Sequence, residues 1–117
     1  MSTRAIVKVR DAYGDEQGFR RHGDGCPEGT MPTLERFLSW AKEGRVRDNV
    51  SQAAGWLVVL GHEELGKGKE PGPAGDGYGW QAGSYEPWPS AEEPGDTEWR
   101  YVVDLGKLTI TAERVVG

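Results

Sequence analysis

Between Arg4 and Arg10 the chain alternates, with Ala5, Val7 and Val9 on one side and Lys8 and Arg10 on the other. This is the period-two pattern of a half-buried strand, and only Ile6 interrupts its polar side. The turn residues Tyr13-Gly14-Asp15 lead on to Gly18 through His22, which predicts an antiparallel hairpin. The period then changes. Leu34, Phe37, Leu38 and Ala41 fall at i, i+3, i+4 and i+7, predicting a helix near Pro32 to Arg45, capped by Thr30 or Thr33 and ended by Gly44. A second helix is predicted over Asp48 to Gly61, carrying Val50, Ala53, Ala54, Leu57, Val58 and Leu60. Its late turns are apolar nearly all round, which predicts the more buried helix, with Gly55 in close packing against a neighbour.

From Gly66 to Gly83 seven glycines and two prolines predict a loop, either an insertion or a flap. Tyr85 to Trp88 reads as a short edge strand bounded by prolines, and residues 89–97 as an acidic loop. Glu98 to Leu105 alternates cleanly, and Leu108, Ile110 and Ala112 mirror it after Gly106-Lys107, predicting a second hairpin. The whole is a single α+β domain over residues 1–117 in the order ββααβββ. It comprises an antiparallel sheet of four to five strands with two helices packed on one face. The expected core includes Val7, Val9, Leu34, Phe37, Leu38, Ala54, Leu57, Val103 and Ile110.

Charge narrows the partners. A net charge of −5 and a pI near 5.0 argue against direct nucleic-acid binding through phosphate contacts, which calls for a clustered basic face. Glu86, Glu92, Glu93, Asp96 and Glu98 form a stretch free of Lys and Arg, expected to steer the protein toward a partner with a basic surface. A single cysteine, Cys26, excludes an internal disulfide and fits a reducing cytoplasm. Met1-Ser2-Thr3-Arg4 opens no signal-peptide apolar region, and Trp56 to Leu60 is too short for a membrane span. A cytoplasmic protein is the expectation.

Arg21 through Gly29 concentrates the chain's reactive side chains where glycines and a proline oppose regular structure. His22, Asp24 and Cys26 are all metal-binding types, but His62 and Glu63 show no spacing that completes a ligand set. No metal or cofactor is therefore expected, and a turn held by Asp24, with Gly23 and Gly25 at positive φ, is the simpler reading. His22 oriented by Asp24, with Arg21 beside it, could instead form a pocket for an anionic ligand such as a nucleotide, or a hydrolytic site. Tyr85 and Glu86 from the far half would complete it. Trp80 and Trp88, in the Gly/Pro-rich half, are candidate anchors for a partner.

These segments carry a resemblance. The start Ser2-Thr3-Arg4-Ala5, the Arg-His-x-Asp-Gly-x-Pro-x-Gly loop at Arg21 to Gly29 and Tyr85-Glu86-Pro87 are similar to a family of small uncharacterised proteins of bacteria, phages and prophages. Similar chains carry an aromatic residue at the position of Cys26, which weakens any reading of that thiol as a nucleophile. The resemblance implies a phage-associated context. Function is then expected by binding rather than catalysis, as an inhibitor of a host defence assembly of the anti-CRISPR kind, acting through protein–protein contact.

Overall fold

The computed structural model describes residues 3–66, 85–89 and 92–115. The Gly66 to Gly83 loop beyond Gly66, with Tyr78 and Trp80, lies outside the described residues. The alternating segments form β1 (Ala5–Arg10) and β2 (Glu16–Arg21), followed by helices α1 (Pro27–Lys42) and α2 (Val50–Gly66). The chain continues with β3 (Glu86–Trp88), β4 (Trp99–Asp104) and β5 (Thr109–Arg114). This is the predicted α+β order. All five strands join one sheet in the order β3-β2-β1-β4-β5.

The sheet is mixed, where an all-antiparallel one was expected. β1 pairs antiparallel with β2 and parallel with β4, while β3 joins β2 and β5 joins β4 antiparallel. The cause is topological. β3 occupies the outer side of β2, so the next strand must take the free side of β1, and it arrives there by a crossover.

Register sorts the faces. Ala5, Val7 and Val9 align with Phe19, Tyr101 and Val103 on the face covered by the helices, and all are buried. Leu34, Phe37, Leu38 and Leu57 complete the predicted core, whereas Ala54 and Ile110 are only partly buried. Ala53, Leu60 and Tyr85 take the inner places. Ile6 faces the other way yet is 1% exposed, because that side is covered too.

The helix limits differ from the periodicity. α1 begins at Pro27, whose fixed φ suits the first helical position, with Cys26 as an N-cap that makes no side-chain bond. Thr30 and Thr33 are therefore buried inside the helix and do not cap it. Gly44, at φ 79°, ends α1 as predicted. α2 starts after Asn49, whose Oδ1 accepts the Gln52 N–H. Asp11 Oδ2 accepts the Val50 N–H, and Asp48 Oδ1 accepts the Ala12 N–H, so the first hairpin turn and the helix start are tied reciprocally.

α2 does not end at Gly61, and its late turns are not buried all round. Trp56 and Val59 are 48% and 51% exposed on its outer side. The two helical glycines exchange expectations. A Cβ on Gly55 would meet nothing, while one on Gly61 would run into the buried Tyr85 ring. No described helix is long and apolar enough to cross a membrane.

Gly55→Ala should therefore raise stability by about 0.5–1 kcal/mol through helix propensity. Gly61→Ala should lower it by about 1–3 kcal/mol through overpacking. Urea unfolding distinguishes the two. A second expectation concerns Asp11, whose carboxyl lies below its usual range chiefly because it accepts the Val50 N–H. A depressed folded pKa contributes stability above the unfolded value and loses it as pH falls through the folded one. Asp11→Asn should thus be less stable than wild type near pH 7, with the gap closing below about pH 4, as urea midpoints across that range would show.

Candidate binding site

The Arg21 to Gly29 segment folds as a tight connector between β2 and α1. The Gly25 N–H donates to the Thr3 carbonyl at 2.9 Å, and a side chain on Gly25 would collide with Thr3 and Ala5. The left-handed residue is Asp24, at φ 54°, rather than Gly23 or Gly25. Asp24 holds the turn through its carbonyl, which accepts the Thr30 hydroxyl at 2.7 Å, and its carboxylate stands on the exposed side.

Arg21 does not line an open pocket. At 5% exposed, its guanidinium sits inside the domain and donates to the Gly29 carbonyl, the Thr30 hydroxyl and the Tyr85 hydroxyl, the last at 3.2 Å. The same group lies over the Tyr85 ring, 4.6 Å from its centroid. Among the described residues no carboxylate pairs with Arg21, and its Nε has no hydrogen-bond partner. Tyr101 joins the cluster by donating to the Gly25 carbonyl at 2.6 Å, and burial pushes its hydroxyl up to about 12. Arg21 thus works as an internal cross-brace joining β2, the connector, α1 and the residue before β3.

The two distant segments do meet at the sheet edge. Outside the brace, His22 Nε2 lies 2.7 Å from Glu86 Oε2, both half-exposed. His22 is therefore oriented by Glu86, and Asp24 is not its partner. Among the described residues no three of His, Cys, Asp and Glu gather closely enough to hold a metal ion.

The acidic loop is the largest departure from expectation. Its described part, Glu92 to Thr97, turns onto the sheet face opposite the helices. Glu93 takes a forked pair from Arg100 and a longer contact from Lys8 at 3.8 Å. Arg100 bonding holds the Glu93 carboxyl below its ordinary range, and Glu93 in turn raises the Arg100 guanidinium above its own. Asp96 receives both Arg20, at 3.0 and 3.2 Å, and Arg4. These carboxylates are engaged by the chain's own cations, which removes them from a surface steering toward a basic partner. The Trp88 indole donates to the Glu92 carbonyl, with Arg20 packed 5.5 Å from its ring. Trp88, Ile6, Gly18 and Lys8 bound a cleft of about 190 Å³ beneath the loop. Trp80 lies outside the described residues.

Sequence reasoning missed these four cations. Arg4 and Lys8 were visible on the polar side of the first strand, but Arg20 comes beside them through the antiparallel register with β2, and Arg100 only through the parallel register with β4. Compared with protein-family models, curated proteins and solved structures, the chain matches none.

Arg21→Lys keeps the charge but loses the planar guanidinium over Tyr85 and the reach of Nη1 to Gly29, Thr30 and Tyr85, and should cost about 2 kcal/mol of stability. His22→Ala breaks a half-exposed pair and should cost under about 0.5 kcal/mol. Equal losses in chemical unfolding would contradict the brace.

Proposed function

We propose that the chain is a non-enzymatic binding protein acting by protein–protein contact, an inhibitor or adaptor placed on a host assembly. The observation that carries this reading is the apolar patch on the helical layer. Trp56 and Val59 stand exposed on adjacent turns of α2, and Trp56 meets Trp40 of α1 edge to face at 6.3 Å. Arg36 lies 5.6 Å from the Trp40 ring centre. Tryptophan with neighbouring arginine is the composition of interface hot spots, and a large aromatic left in water stabilises more when a partner covers it. The phage-type resemblance in Arg21 to Gly29 and Tyr85 to Pro87 supports a host-directed inhibitor of the anti-CRISPR kind.

A ligand-sequestering or hydrolytic reading rests on the His22–Glu86 pair, where a carboxylate orients an imidazole as a general base requires. It is the weaker of the two because Arg21, which would hold the anion, is turned into the core.

Capture from a host lysate on the immobilised chain tests the choice. Trp56→Glu should weaken the captured protein's binding by about 30-fold or more, the effect of a hot-spot residue of about 2 kcal/mol, and His22→Ala should leave it unchanged. Retention by Trp56→Glu, or co-purification of a nucleotide that depends on His22, would overturn the proposal.

A further inference from the structure

On the sheet face away from the helices, register sets four cations around one apolar residue. Ile6 has Arg20 beside it on β2 and Arg100 beside it on β4, while Arg4 and Lys8 flank it along β1. Neighbouring strands lie about 4.8 Å apart and same-face residues about 6.6 Å apart, so the four positive charges surround a patch roughly 10 Å across. Like charges this close repel unless anions lie among them. The chain supplies two from Glu92–Thr97. Glu93 sits on the Arg100 and Lys8 side, and Asp96 on the Arg4 and Arg20 side. The segment adopts the needed shape through a turn in which the Thr97 N–H and hydroxyl both donate to the Pro94 carbonyl.

The fit leaves binding capacity over. Among the described residues Arg20 Nε has no hydrogen-bond partner, and Arg4 Nε stands 3.0 Å from Asp96 Oδ2 without the alignment of a hydrogen bond. Among the described residues, Glu93 and Asp96 meet four cations, and Arg100 gains a further carboxylate from Glu113. Beside Lys8 lies a cleft of about 190 Å³ between Ile6 and Trp88, whose lining also includes Glu16, Glu92 and Glu93. Arg20 and Asp96 remain partly exposed, so exchange at this pair needs no unfolding of the core.

We infer that this face is a second binding surface, taking an acidic peptide segment with two carboxylates three residues apart. The chain's own Glu92–Thr97 is its resident occupant in cis. The inference rests on the reading that the chain works by protein contact, and it assigns that contact a partner chemistry opposite to the one its net charge suggests. The resident segment acts as an internal competitor. If it is docked about nine-tenths of the time, it weakens an incoming peptide's apparent affinity about tenfold.

The probe is a capped peptide of residues 92–98, titrated against the full chain and followed by Trp88 fluorescence. Glu93→Gln/Asp96→Asn, which releases the resident segment, should bind the peptide at least about tenfold more tightly than wild type, and the gain should shrink as salt is raised. Adding Arg20→Gln and Arg100→Gln should abolish it, and a peptide with Gln and Asn for its acids should not bind. Asp96→Asn alone, freeing only Arg4 and Arg20, gives the same comparison should the double variant fail to fold. An affinity equal to wild type in the released variant, or binding that survives loss of the arginines, overturns the inference. A single-stranded oligonucleotide binding more tightly than the peptide would overturn it as well. Lysate capture through Trp56, on the opposite layer, is unaffected by these changes and reports separately on the protein-contact reading.

Discussion

The connection from β3 to β4 is the constraint from which the rest of the structure follows. Both strands run parallel to β1, on opposite sides of the β1–β2 pair, so the chain leaving Trp88 must cross two strands and return along them to enter at Trp99. The helices fill one face, and the crossing takes the other. A polar loop laid over a sheet needs partners for its carboxylates, and the strand residues beneath provide them as arginine and lysine. Ile6 and the crossing depend on one another. The isoleucine is apolar among four cations because the loop above keeps it from water.

Arg21 performs the corresponding task on the helical side. Among the described residues it has no carboxylate partner, so its burial depends on hydrogen bonds from Nη1 and on the Tyr85 ring. Thr30 reaches it only because α1 starts at Pro27, and Tyr85 only because β3 pairs with β2. Strand edge, connector and helix start are thereby fixed by one side chain, which leaves His22, Asp24 and Glu86 on a rigid outer rim. Gly61 belongs to the same arrangement, since its missing Cβ is what admits the Tyr85 ring.

What could be read from the sequence was what depends on local period. The five strands, both helices, Gly44 as a helix stop and most of the core follow from alternation and i, i+3, i+4 spacing. The direction of β4 does not, because parallel and antiparallel pairing leave the same alternation in a strand with one covered face. Helix starts were displaced for a related reason. The glycines at 23, 25 and 29 look like breakers, but Gly25 and Gly29 serve close backbone approach, and a helix turn forms through Gly29 once Thr30 is bonded to Asp24. The meeting of Arg21 and His22 with Tyr85 and Glu86 was legible as two segments adjoining strand ends. Which of them turns inward was not, since burial of an arginine held by a carbonyl, two hydroxyls and an aromatic ring has no sequence signature.

The acidic stretch shows most plainly why charge runs mislead when taken alone. Along the sequence, Glu86 to Glu98 contains no cation, and a run of that kind is ordinarily assigned to solvent or to a basic partner. In three dimensions its neighbours are Arg4 and Lys8 from one strand, Arg20 from a second and Arg100 from a third. A net charge of −5 is thus compatible with a local cationic face, because the sum is blind to register. Among the described residues the face is covered by a segment of the same chain, held by the pairs of Glu93 and Asp96 and by the Trp88 indole between the strand and the loop. Charge pairs of this exposure contribute little each, so the masking depends on the crossover holding the segment in place more than on the strength of any one contact.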